Sequence, residues 1–198
     1  MRAFPVCMPS GARYWTVLDA DLVVVTDADS FLRHLRFGRD RSESTTRSYA
    51  GGIALFLRWC VLTERHWHEG VDHLGLFITW LRHAELAEAA AEQVSAAAVF
   101  AGPGRAPVRA PRRVNGVLTA VRGFVTHAVT TGRAPSTLLP LIYELADDRD
   151  LPEQARGEDR RLALRMRARH RLNEPYPVGG PGQRRGNRRV AGRVSVGA

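Results

Sequence analysis

Ser42, Thr45, Thr46 and Arg47 crowd one stretch of this chain, and Arg112, Arg113, Asn115 and Arg122 crowd another. Hydroxyl, amide and guanidinium groups at such spacing suit the gripping of phosphate, provided each set opens a helix. A helix N-terminus carries unpaired N–H groups and about half a positive charge, so hydroxyls and Arg in its first turn complete an anion site. Asn115 adds an amide able to reach a phosphate or a base edge, where Asn pairs best with adenine. Every basic residue is Arg and none is Lys, which suits bidentate phosphate contact and equally fits coding bias.

Both sets fall on amphipathic stretches. Ser42 reads as the N-cap of a helix running to about Leu62, with Ile53, Phe56, Leu57 and Cys60 on one face. Gly51-Gly52 inside it costs about 1 kcal/mol per Gly relative to Ala, and such a pair permits close helix packing. Pro111 suits the first turn of a second helix, Arg112 to about Thr131, whose stripe is Val114, Val117, Leu118, Val121, Val125 and Ala128 and which Gly132 closes. Tyr49, Phe56, Trp59 and Phe124 are expected in the core.

The remaining elements follow from the same rules. Tyr14 to Val25, β-branched around Asp19-Ala20-Asp21, reads as a short hairpin or extended arm. Thr26 reads as the cap of a helix with Asp29 as its capping-box partner, Ala28, Phe31, Leu32 and Leu35 inside, and Gly38 at its end. A helix from about Asp72 to His83 carries Leu74, Phe77, Ile78 and Leu81 in register. The Ala-rich stretch from Glu85 to Phe100 allows another, Ala101 to Pro111 is loop by composition, and Ser136 to Ala146 forms a short final helix with Pro140 in its first turn. The expectation is an all-α, four-to-five-helix bundle over residues 14–150, preceded by a short extended arm. A charged linker (151–175) and a disordered Gly/Arg-rich tail (176–198) follow.

Charge is distributed in a way that its total of +9 hides. Residues 1–150 hold 17 Arg against 16 acids, a net of +1, whereas residues 151–198 hold 12 Arg against 4 acids, a net of +8. Within the first part, no acid lies between Glu92 and Glu144 while six Arg do, and six Arg from Arg33 to Arg58 face only Asp40 and Glu43. Two local basic patches on a nearly neutral domain fit a DNA footprint and fit solvated helix faces equally well. No apolar run is long enough to span a membrane and no secretory leader is present, so a cytoplasmic protein is expected. Of the two cysteines, Cys7 and Cys60, the second falls on an apolar helix face and reads as a small buried hydrophobe. His66, His68 and His73 offer ligand atoms, but across an expected surface turn and with no compact zinc spacing, so no metal and no cofactor is expected.

The motifs carry a resemblance. Ser42-x-x-Thr45-x-Arg47-x-Tyr49 followed by Leu55-Phe56-Leu57-Arg58-Trp59 resembles the first DNA-contacting helix of the core-binding (SAM-like) domain of phage-type integrases, the tyrosine recombinases. Val114-Asn115-x-x-Leu118-x-Ala120-Val121-Arg122-x-Phe124 resembles the later helix of that domain, and Phe31-Leu32-Arg33-His34-Leu35 fits the helix before them. The resemblance implies half of a clamp on double-stranded DNA, with Ser42, Thr45, Thr46, Arg47, Arg112, Arg113, Asn115 and Arg122 as contacts and DNA integration and recombination as the process. It departs from the family pattern at Ala110, Arg113 and Gly116. The family's catalytic Arg, Lys, His-x-x-Arg and Tyr are absent from this sequence, and Tyr176, in Glu-Pro-Tyr-Pro, has no helical context. The expectation is therefore a truncated, non-catalytic integrase that binds DNA, with a full-length recombinase as a further partner and neither membrane nor small-molecule substrate. The alternative is a helical protein-interaction module or a mobile-element remnant. A helix-turn-helix regulator fits less well, because about 50 residues separate the basic helices instead of a turn of 3 to 4.

Overall fold

A computed structural model describes residues 1–83, 109–146 and 165–173. Among these the chain is mostly helical, with two small antiparallel sheets of two strands each. The Glu85 to Phe100 stretch, most of the loop after it, and the tail from residue 176 lie outside the described residues.

The chain opens with strands β1 (Arg2–Cys7) and β2 (Arg13–Leu18), paired antiparallel from Arg2 opposite Leu18 to Cys7 opposite Arg13. This corrects the expected arm at residues 14–25, whose main partner is the strand before it. The reversal is made at Met8 to Ala12, where the Met8 N–H donates to the Ala12 carbonyl and Gly11 takes φ +79°, a conformation glycine adopts without strain. Asp19-Ala20-Asp21 does turn the chain again: the Asp19 carboxylate accepts from the Asp21 and Val23 N–H groups, but only an isolated Leu18–Val24 bridge follows.

Helix α1 (Thr26–Arg33) continues into a π-helical turn, His34–Gly38, and buries Ala28, Phe31, Leu32 and Leu35 as expected. Its cap differs from expectation. Val25 holds the N-cap position without a side-chain bond, and Asp29 instead accepts from the Tyr14 and Thr16 hydroxyls at 3.0 and 2.7 Å. The capping-box partner is thus spent in fastening the hairpin to α1. Burial and the bond to Asp29 push the Tyr14 hydroxyl up to about 12.

Helix α2 (Glu43–Leu62) begins where the sequence places it, with the Ser42 side chain accepting from the Thr45 N–H. The expected surface turn at His66 to His73 is instead a short helix, α3 (Trp67–Asp72), capped by the His66 ring. Trp67, Val71 and Leu74, at steps of four and three, bury one face of that turn, which explains why it folds. Helix α4 (Leu74–His83) follows, then α5 (Pro111–Thr130) with Pro111 at its start and Gly132 beyond its end at φ +71°. The expected final helix is only partly helical. A 3-10 turn at Ser136–Leu138 leads into α6 (Leu139–Ile142), and the chain then extends as β3 (Tyr143–Ala146), paired with β4 (Arg165–Ala168).

One core joins these elements, with Phe31, Phe56, Trp59, Phe77 and Phe124 at its centre. Its axis is the α2–α5 pair. A side chain at Gly52 would meet Ala120 at 2.9 Å and Val117 at 3.4 Å, whereas one at Gly123 would meet Phe31 and Tyr49. Moving one turn along α2, from Tyr49 to Gly52, thus moves backwards along α5, so the two helices run antiparallel. Gly52 provides the close packing; Gly51 faces open space.

Candidate nucleic-acid interface

In the first turn of α2 the hydroxyls are largely occupied by one another. Ser42 Oγ lies 2.9 Å from both the Ser44 and Thr45 hydroxyls while accepting from the Thr45 N–H, and Thr46 is buried with its hydroxyl donated to the Glu43 carbonyl at 2.7 Å. Thr46 therefore faces the core. Ser42 remains exposed, Thr45 is half-buried, and the exposed Arg47 lays its guanidinium 5.1 Å from the centre of the Trp15 ring on β2. That cation–π contact keeps the charge at the surface and gives it a preferred direction. Arg36, from the π-helical turn, donates to the carbonyls of Arg13 and Arg41, tying the hairpin to the entry of α2.

The first turn of α5 has the opposite character. Ala110 at the N-cap supplies no side-chain bond and the turn contains no acid; Pro111 has no N–H and the Arg113 N–H is donated to the Ala110 carbonyl at 3.0 Å, so the Arg112 N–H and the exposed Arg112 and Arg113 side chains are what the turn presents to solvent. Among the described residues, Arg47, Arg112 and Arg113 take part in no ion pair.

The antiparallel packing sets these two turns apart. Ser42 precedes Tyr49 by seven residues and Arg113 precedes Gly123 by ten, and at 1.5 Å per residue the turns lie about 20 Å or more from each other. The structure brings Ser42, Thr45 and Arg47 together, and separately Arg112 with Arg113.

Asn115 and Arg122 form a third group, engaged by the chain itself. The Asn115 side chain donates to the Leu172 carbonyl at 2.8 Å and accepts from the Leu172 N–H at 2.9 Å. Arg122, only 9% exposed, donates to the Arg169 carbonyl at 3.1 Å and to the Thr119 hydroxyl at 3.3 Å. Burial, foremost, draws its guanidinium below the ordinary value. The segment they hold, residues 165–173, lies in the stretch read from sequence as a charged linker. Sequence reasoning missed it and Thr119. The alternation Arg165-Met166-Arg167-Ala168-Arg169, with Leu172 in the same register, is the period-two signal that marks it.

The histidines do not assemble a metal centre: among the described residues no group of three His, Cys, Asp or Glu is placed to hold an ion. Cys60 is buried, and burial pushes its thiol up to about 12. No helix among the described residues is long and apolar enough to cross a membrane. Set against protein families, curated proteins and solved structures, the chain matches no family model, no curated protein and no solved structure.

Proposed function

We propose that this chain is a DNA-binding, non-catalytic helical domain of the integrase (tyrosine recombinase) type, a core-binding, SAM-like bundle that grips duplex DNA along its α2–α5 axis. The observation that carries the reading is the presence of exposed, unpaired Arg at both ends of that axis, Arg47 at one and Arg112 with Arg113 at the other. Arg112 and Arg113 stand in the first turn of a 20-residue helix, where the end charge of the helix adds to that of the side chains, and Arg47 is the fifth residue of the other. A separation of about 20 Å corresponds to roughly six base pairs at 3.4 Å per step along one strand, so one duplex laid along the pair reaches both turns. Strand cleavage is not part of the proposal, because the residues that would stabilise and attack the phosphodiester in that family have no counterparts in the sequence.

Fluorescence anisotropy of a labelled mixed-sequence duplex with the full chain, across a salt series, tests this. Each phosphate contact contributes about 0.9 to the slope of log K against log salt. Arg47→Ala and Arg113→Ala are expected each to lower the slope by about one, and together by about two. Slopes that match the unaltered chain in both variants would remove the helix turns from the interface and leave any binding to the Arg-rich residues after 150.

A second reading, a protein-interaction module, is supported by Leu22, Val23 and Val24, which are 58, 59 and 45% exposed. Three consecutive exposed aliphatic side chains are a contact surface more suited to protein than to DNA.

A further inference from the structure

One line of α5 is polar throughout. Asn115, Thr119 and Arg122 stand at steps of four and three, so they share a face, and they are linked along it: the Thr119 hydroxyl donates to the Asn115 carbonyl and Arg122 donates to the Thr119 hydroxyl. Thr126, the next step of four, has a buried hydroxyl with no hydrogen-bond partner within the protein. Arg122 is the one buried Arg, Asp or Glu among the described residues, and no carboxylate faces it. A buried cation with only neutral acceptors is costly, and an anion relieves that cost.

The cover on this face is thin. From residue 165 to 173 the chain is held by its pairing with β3, by the Arg169 N–H donated to the Ile142 carbonyl, and by the half-buried Leu172. Met166 is 63% exposed, and the ion pair of Arg169 with Glu144 is long, at 3.9 Å. On α5 the strap is recognised through main-chain atoms at Arg169 and Leu172. The strap bends between these two points, with His170 at φ +57°, and so meets Arg122 at Arg169 and Asn115 at Leu172. A contact made by two carbonyl oxygens, the Leu172 N–H and one apolar side chain belongs to the low-stability end of a fold.

We propose that Asn115, Thr119 and Arg122 form a phosphodiester-binding subsite which residues 169–172 occupy in the free protein, the strap's carbonyl oxygens holding the places that phosphate oxygens take when duplex DNA displaces it. The strap is then an intramolecular competitor of DNA. This rests on the DNA-binding reading above, but it concerns a different face of α5 from Arg113 and has its own readout.

The experiment uses the full chain and the same labelled duplex. Leu172→Ala removes the apolar anchor without touching α5, and Ala168→Pro weakens the β3–β4 pairing as an independent second route. Because apparent affinity falls with the fraction of molecules that are binding-competent, loosening the strap is expected to raise duplex affinity by about threefold or more. Asn115→Ala, added to the Leu172→Ala chain, is expected to cancel that gain. Hydrogen exchange at the Leu172 amide is expected to speed up when duplex is added to the unaltered protein. Unchanged or lower affinity in both loosened variants, or a gain that survives Asn115→Ala, overturns the competitor and the subsite. If that happens while Arg47→Ala and Arg113→Ala still lower the salt slope, the DNA-binding reading stands alone; absence of any duplex binding overturns both.

Discussion

Helices α2 and α5 are equal in length, antiparallel and share one core, yet they begin in opposite ways. The first turn of α2 is closed on itself: Ser42 caps it, Ser44 and Thr45 share that oxygen, Thr46 turns inward, and the exposed Glu43 accepts from the Trp15 indole, with Arg47 just beyond over the same ring. The first turn of α5 is open, with Ala110 and Pro111 where a capping side chain would stand, no acid, and two exposed Arg beside the Arg112 N–H. The difference teaches that hydroxyls at a helix start serve the helix first, so a hydroxyl-rich first turn is a weaker sign of an anion site than an uncapped turn carrying cations.

The helix packing that separates these two turns can be broken at one position. Gly52→Leu places a branched side chain where a lone Cβ already meets Ala120 at 2.9 Å, and a loss of about 3 kcal/mol is expected from overpacking. Gly51, one residue earlier and facing open space, gives the contrasting result: Gly51→Ala is expected to gain about 1 kcal/mol through helix propensity. Urea unfolding of the two variants reads both signs, and equal effects would mean that the α2–α5 contact does not depend on Gly52.

Exchanging the caps sharpens the comparison at smaller scale. Ser42→Ala is expected to cost about 1 kcal/mol and Ala110→Ser to gain a similar or smaller amount. Thermal melts of the pair decide it, and a destabilising Ala110→Ser would show that the open turn of α5 is already satisfied by other means.

The smallest effect concerns the other end of α5, where His127 stacks on His34 at 4.9 Å, touches Phe31 and lies 3.3 Å from the Ser30 hydroxyl. Burial, then His34, Arg133 and Arg39, lower its proton affinity in the fold; His68 is lowered as well, chiefly by burial. The unfolded chain, with histidine near its ordinary value of about 6.5, binds these protons more readily. Stability is therefore full above that value, falls as pH drops through it, and levels off below the depressed folded value. His127→Gln is expected to flatten the dependence between pH 7 and 5 in denaturant midpoints, and an unchanged slope would remove His127 from the effect.

How much of this was legible in the sequence depended on the range of the forces involved. The start of α2 at Ser42, the stripe of α5 and its stop at Gly132 are local, because cap chemistry, side-chain period and backbone freedom act within a few residues. Phe56, Trp59 and Phe124 lie in the core as expected, and Tyr49 at its margin. Asp29 was misread because its partners, Tyr14 and Thr16, come from a strand whose pairing with Arg2–Cys7 depends on a turn at Gly11. Pro5 and the short apolar run masked that strand. The occupancy of Asn115 and Arg122 was not legible at all, since their partners lie 57 and 47 residues away and are main-chain atoms, which residue identity does not encode. The separation of the two basic turns likewise follows from the antiparallel contact at Gly52, a property of packing and not of either motif.

The Arg47–Trp15 contact also makes the molecule optically legible. Of the four tryptophans, Trp59, Trp67 and Trp80 are buried, and Trp15 alone stands half in water beneath a guanidinium. An anion that draws Arg47 away changes the electric field over one indole and leaves the other three in the dark interior, so the emission of Trp15 is a built-in voltmeter for that turn of α2, readable without any label.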